Sequence, residues 1–180
     1  MSTELDEAMA RISALEAADT SGARKKISMV VMSGDMDKLF GAFIIGTGAA
    51  AMGMEVTMFF TFWGLRALKR ADAKMTGTTL FGKMLGMMYG GGIEKANPSH
   101  FSFLGMGRWM FGKMMGAHNV ATLTQLRDLA IDLGIKMYGC QMSMDVMEIG
   151  QETFVKGVQD PVGVGFFIAE AQESQITLFI

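Results

Sequence analysis

The chain holds a single cysteine, Cys140, in the run Ile135-Lys136-Met137-Tyr138-Gly139-Cys140-Gln141-Met142-Ser143-Met144-Asp145-Val146-Met147. The run reads as a short strand, then the cysteine, then the first turn of a helix. Backbone N–H groups at a helix start favour negative charge, and so favour thiolate over thiol. A lone cysteine cannot form an internal disulfide. Four-thiolate zinc and iron–sulfur sites are also excluded within one chain. The remaining uses are nucleophile, sulfur carrier, redox sensor and inert core filler, since unpaired cysteine is among the most buried residue types.

The elements that must position this thiol follow from hydrophobic periodicity. Lys26–Met32 is a β-type run and predicts the first strand, with Ser33-Gly34-Asp35-Met36-Asp37 as the turn after it. Leu39–Met52 is a helix apolar nearly all round, and Glu55–Thr61 the second strand. This βαβ order implies a parallel pair. A loop, Phe62–Arg66, and a short helix, Leu65–Ala71, follow. Residues 74–117 hold two amphipathic helices separated by Gly90-Gly91-Gly92 and Asn97-Pro98. Asn119–Leu133 is an amphipathic helix in which Thr122 and Gln125 fit a capping box and Gly134 the stop. Ile135–Cys140 is then the third strand, and Ser143 caps a short helix to Ile149. Thr153–Val158 is a fourth strand. A helix opens at Asp160-Pro161. Gln175–Ile180 is the fifth strand. The N-terminal segment 3–18, with Leu5, Ala8, Ile12 and Leu15 on one seam, is a helix joined by a linker ending near Gly22.

The expected architecture is α/β: a flavodoxin-like, doubly wound, parallel five-stranded sheet. It carries a Met/Gly-rich helical insertion at 74–117 and an N-terminal helix over 1–22 ahead of one domain, 23–180. In strand order 2-1-3-4-5 the first and third strands are neighbours. The Ser33–Asp37 turn then lies beside Cys140.

Composition narrows the function. A formal net charge of −2, with no basic run, argues against nucleic-acid binding. A single cysteine and an acidic, amphipathic start without a secretory apolar run fit a reducing cytoplasm. The stretch Leu39–Gly64 carries one charge, Glu55, and is long enough to span a bilayer. Its Gly-Met-Glu break and its switch to β-branched and aromatic residues fit a buried helix and a buried strand better. His100 and His118 have no zinc-ligand spacing, and no Walker loop, nucleophile elbow or dinucleotide fingerprint is present. No metal or cofactor is expected. The 20 methionines suit an adaptable surface. A Met-rich docking or membrane-associated scaffold is therefore the alternative to chemistry at the thiol.

The run Cys140-Gln141-Met142-Ser143-Met144-Asp145-Val146-Met147 resembles the motif of the DsrE/DsrF-like sulfur-carrier proteins. It is closest to their larger, Met-rich branch, associated with rhodanese and TusA-like proteins. Val30–Asp35 and the run Thr57–Leu65 support the likeness over roughly residues 25–180. The resemblance implies a sulfur carrier or sulfurtransferase, a carrier rather than a turnover enzyme. Its cysteine, here Cys140, receives sulfane sulfur as a persulfide. It also implies transfer to a TusA-like carrier or rhodanese, homo-oligomerisation, and a possible link to membranes. In that reading Gly34 and Asp35 belong to a turn whose amides face the thiol, Trp63 shields the persulfide, and Ser143 opens the helix that stabilises the anion. Asp35 and Asp37 also suit plain turn-forming or capping duty.

Overall fold

The computed structural model describes residues 9–11, 13, 25–73, 76–100 and 105–180. The expected N-terminal helix therefore lies outside the described residues except at 9–11 and 13, which are helical. The expected domain boundary after residue 22 also lies outside them.

The elements run β1 (Lys26–Val31), α1 (Met36–Ala51), β2 (Glu55–Phe60), α2 (Leu80–Met88), α3 (Met106–Ala117), α4 (Leu123–Asp132), β3 (Lys136–Gly139), α5 (Gln141–Met147), α6 (Val164–Gln172) and β4 (Ile176–Phe179). Short 3-10 helices occupy Phe62–Leu68, Ile93–Lys95 and Gln151–Thr153. The stretch 39–64 is thus a helix, a turn through Gly53 at φ +80°, and a strand. Among the described residues no helix is long and apolar enough to cross a membrane.

Among those residues the sheet has four strands in the order β3-β2-β1-β4, all parallel. Two expectations fall here. Thr153–Val158 is not a strand. It is a 3-10 turn followed by a single antiparallel bridge from Phe154 to Lys69. Gly157, at φ +97°, then turns the chain. The next residues run beside β3, where Gln159 N–H donates to Met137 O (2.9 Å) and Val162 N–H to Gly139 O (3.0 Å). Pro161 has no N–H, so the pairing stops at one parallel bridge, Cys140 with Val162. The second correction is the order itself: β3 pairs with β2, not β1. The point where strand order reverses lies between β1 and β4.

Pleating divides the sheet into two unequal faces. Ile27, Met29, Val31, Val56, Met58, Phe60 and Met137 point to one side and form the main core with Leu39, Ala42 and Phe43 of α1 and Leu123, Leu126 and Ala130 of α4. The capping box at Thr122 and Gln125 starts α4 as expected. Among the described residues the other face is covered by α6. Its contacts are partly polar: Lys26 Nζ lies 3.1 Å from both Glu170 and Glu173, Thr57 Oγ1 donates to Glu170 (2.8 Å), and Ser28 and Ser174 share a hydrogen bond (2.8 Å).

The Met-rich helices stand outside this core. On α2, Leu80, Phe81, Met84 and Met87 are exposed, and on α3 so are Met106, Trp109, Met110, Phe111 and Met114. The α2 helix is tied down at its start by one residue of α5's C-cap. Glu148, itself at φ +50°, accepts the N–H groups of Thr78 and Thr79 and both their hydroxyls. Its carboxyl is held down to about 2, first by the Thr79 hydroxyl and then by the Thr79 and Thr78 amides. A depressed folded value means the tether holds above the ordinary carboxyl pKa and is lost as pH falls toward 2. Amide protection in α2, taken relative to the intrinsic exchange rate at each pH, should therefore fall between about pH 4.5 and 2. Glu148→Gln should show the lower protection already at pH 7. Unchanged α2 exchange in that variant would refute the tether.

Candidate functional site

Cys140 follows directly from the β2–β3 register. Gly139 pairs with Phe60, and Cys140 N–H donates to Phe60 O at 2.8 Å. On the other side Gln141 N–H donates to Val162 O at 3.0 Å. Held between two neighbours, Cys140 keeps an extended backbone (φ −73°, ψ 113°) and becomes the N-cap of α5. Its sulfur accepts no N–H from the first turn of that helix. Gly139 faces the main core, where an added Cβ would meet Met144, Phe154 and Leu65. Alternation then sends Cys140 to the α6 face.

There the thiol is closed in. Cys140 is 4% exposed and packs with Phe59 and Phe167, flanked by Val30, Tyr138, Val162 and Ala171. The Phe59 and Phe167 rings stack with centroids 5.3 Å apart, and Tyr138 meets Phe166 at 4.7 Å. Phe167 and Ala171 belong to α6, so that helix is the lid. The polar clasp at Lys26, Thr57 and Ser28 holds it. Burial pulls against the charge on Lys26, but the hydrogen bonds it donates to Glu173 and Glu170 outweigh it and raise its pKa.

Ser143 does not cap a helix. It lies within α5, fully buried, and exchanges a hydroxyl hydrogen bond with Thr61 at 2.7 Å. This pins α5 to the end of β2. Gly34, Asp35 and Trp63 are brought together, but apart from the thiol's cluster. They line an open cavity of about 400 Å³ with Ser33, Arg66, Tyr89 and Asn97. The reason is the strand order, which puts the end of β2 between β1 and β3. Gly34 is required there, because a Cβ would lie 2.5 Å from Trp63 O and 2.0 Å from the Tyr89 hydroxyl. Trp63 is 48% exposed and meets Tyr89 edge-on at 5.0 Å. It is not among the residues packed around Cys140, whose aromatic cover is Phe59 and Phe167. A second cavity, about 630 Å³, opens between the ends of β1 and β4, lined by Met32, Ser33, Lys38, Phe62, Trp63, Phe179 and Ile180. Cys140 lines neither.

Sequence reasoning missed Arg66, Tyr89 and Asn97 at the first cavity, and Phe167 as cover for the thiol. Phe167 was legible only as an apolar helix face. Arg66 carried a signal: it is a charged residue inside an otherwise apolar run, Phe62 to Leu68. Among the described residues no group of three His, Cys, Asp or Glu side chains is placed to hold a metal.

A parallel α/β sheet with one thiol at a strand end, closed by a single helix, defines a thiol-bearing α/β domain. The chain belongs to the DsrE/DsrF/DrsH-like family, whose model matches residues 23–179. It is 38% identical over 156 residues to the uncharacterized protein YrkE of Bacillus subtilis, covering 87% of this chain and 97% of that one. It is 34% identical over 161 residues to the sulfur carrier protein DsrE2 of Allochromatium vinosum, covering 87% and 99%. The crystal structure of ychN from E. coli superposes with a TM-score of 0.55 at 10% identity, covering 87% of this chain and 99% of that one. That likeness speaks for the fold alone, and it fits the flavodoxin-like architecture.

If α6 is the lid, shortening its inward side chain should expose the sulfur. Phe167→Ala should lower the cost of opening by at least about 1.4 kcal/mol, and so raise the rate of Cys140 alkylation by iodoacetamide about tenfold or more. Equal alkylation rates in native and variant chains would mean the thiol is reached by another route.

Proposed function

We propose that the chain is a sulfur carrier that holds sulfane sulfur as a persulfide on Cys140 and passes it to a thiol of a partner protein. One observation carries this reading. The chain belongs to a family that includes a curated sulfur carrier 34% identical over nearly its whole length, and it has one cysteine to use. Any sulfur held on a thiol of this sequence is held at residue 140.

Loading is a displacement at sulfur. The Cys140 thiolate attacks the outer sulfur of a donor persulfide, R–S–S⁻. A new S–S bond forms at Cys140, the donor's S–S bond breaks, and R–S⁻ leaves. Unloading reverses the roles. A partner thiolate attacks the outer sulfur of Cys140–S–S⁻, and the Cys140 thiolate departs. Neither step changes the overall oxidation level or needs a metal or cofactor. With one thiol per chain, no resolving cysteine can close a disulfide, so the cycle is transfer between molecules.

Burial of the sulfur fits the same reading. A persulfide open to solvent loses its sulfur to any passing thiol, while a closed one is kept until a partner opens the lid. Transfer therefore requires α6 or the Gly157–Gly163 segment to move. The acceptor or donor proposed is a TusA-like carrier or a rhodanese, in a reducing, cytoplasmic setting.

Intact mass after exposure to inorganic polysulfide is the test. The native chain should gain one sulfur atom, and dithiothreitol should remove it. Cys140→Ser should gain none. Equal gain by both chains, or none by either after the lid is loosened with Phe167→Ala, would end the proposal.

A second property is favoured by the exposed apolar side chains of α2 and α3, which fit an oligomer contact or a docking face better than solvent. We propose self-association through α3. Sedimentation should show a species heavier than the 19.5 kDa chain, shifted toward monomer by Met110→Glu. A monomer at all concentrations would refute it.

A further inference from the structure

Two basic side chains are buried with no carboxylate at ion-pair distance among the described residues, although Asp35 acts on Arg66 from further off. Arg66 and Lys69 are each 7% exposed, and among the described residues neither makes an ion pair. Burying an unpaired charge is costly, and proteins seldom leave one without a carboxylate, a metal or a ligand. Here burial lowers the pKa of both, and for Lys69 the nearby Arg66 adds to the effect.

The Arg66 guanidinium is only partly used. Nη1 donates to Lys95 O at 3.0 Å, and the plane lies 3.7 Å from the centre of the Tyr89 ring. Nε is buried and has no partner. A second buried polar atom is in the same position: Asn97 Oδ1. These are the two orphaned side-chain atoms among the described residues, and Arg66 and Asn97 line one cavity, the one of about 400 Å³ beside Gly34. Buried polar groups without partners are few in folded proteins, and two on residues that line one cavity call for an explanation.

The rest of the lining is consistent. Asp35, the N-cap of the sixteen-residue α1, caps no N–H with its side chain. Its carboxylate instead accepts from Ser33 Oγ at 3.0 Å. The wall is completed by the Trp63 and Tyr89 rings, whose edge-to-face contact keeps the Arg66 plane fixed. Arg66 is the one cationic side chain on the lining and Asp35 the one carboxylate; Lys69 lines a different cavity, beside α2.

We propose that this cavity binds the oxyanion group of a small ligand. Arg66 is the principal contact, and Asn97 Oδ1 accepts a hydrogen bond from an O–H or N–H elsewhere on the ligand. Planar and tetrahedral oxyanions both match a guanidinium fork. The site is separate from the thiol and stands whether or not Cys140 carries sulfur.

The experiment is a titration of the full chain at constant ionic strength, followed by amide and indole proton–nitrogen spectra. Sodium sulfate, sodium thiosulfate and sodium acetate are the probes, against sodium chloride. Saturable shifts at Gly34, Asp35 and the Trp63 indole are expected with at least one oxyanion and not with chloride. Tighter acetate binding points to a carboxylate ligand, and tighter sulfate or thiosulfate binding to a sulfur or phosphorus oxyanion. Asn97→Asp adds a negative charge to the lining that Arg66 shares and should weaken anion binding about tenfold. Arg66→Lys, which keeps charge but loses the fork, is the second variant and should weaken it several-fold. Cys140→Ser should bind like the native chain. Absence of saturable shifts with all three oxyanions overturns the proposal, as does undiminished binding in both cavity variants.

Discussion

The pleat of β3 is the constraint on which the rest of the molecule turns. Side chains alternate across a strand, so a shift of one residue moves each of them to the opposite face. The pairing of Phe60 with Gly139 fixes that parity. It sends Met137 into the main core and Cys140 to the side that α6 covers. Slipped by one, the thiol would lie under α1 and α4 within the largest apolar cluster, where no single element could uncover it. As it stands, among the described residues the nine-residue α6 and the strand-like segment at Val162 cover the sulfur. Gly139 makes the parity tolerable, since a side chain there would press on Met144, Phe154 and Leu65.

The clasp on that helix is built differently from the main core. Apolar burial on the α1 face is large and non-directional. On the α6 face, hydroxyls and charges share the work with two phenylalanines: Ser28 with Ser174, Thr57 with Glu170, and Lys26 with Glu170 and Glu173. Net hydrogen-bond contributions run about 1 kcal/mol each, because water competes for the same groups. A lid held by such contacts opens at lower cost than one sealed by apolar packing alone, and local opening at that cost precedes global unfolding. The raised pKa of Lys26 has a sign: its contribution is present below the ordinary lysine value and disappears as pH rises through the shifted one. The clasp is therefore intact across the neutral range.

Much of this was readable in the chain, and the failures have physical causes. Periodicity located all four strands as apolar β-type runs; the central β1 and β2 bury both faces, while the edge strand β4 is mostly exposed. The Thr122–Gln125 box and Gly134 bounded α4 through local chemistry that needs no tertiary context. Thr153–Val158 looked like a strand because its side chains suit one. The outer edge of β3 is open to it, but Gly157 turns the chain and Pro161 removes a donor, so the pairing stops at one bridge. Strand order is the least local property of a fold. The expectation that β1 adjoins β3 came from analogy, and it misplaced the Gly34 turn relative to Cys140. Ser143 was taken for a cap because serine favours helix starts; a buried hydroxyl partner at Thr61 claimed it instead.

Strand order also explains why the two candidate sites are separate. Ligands of doubly wound sheets collect where the order reverses, and here that is between β1 and β4. The Ser33–Asp35 turn, Trp63 and the open cavities lie at that end of the sheet. Cys140 ends an edge strand two positions away. One region is open, polar and short of a counter-ion; the other is dry, apolar and closed. A small polar molecule suits the first, and a group kept from solvent until a partner arrives suits the second. The link between them is the Phe62–Leu68 3-10 helix, which follows β2 directly. It carries Trp63 and Arg66 into the cavity, while Thr61, just before it, grips α5 through Ser143.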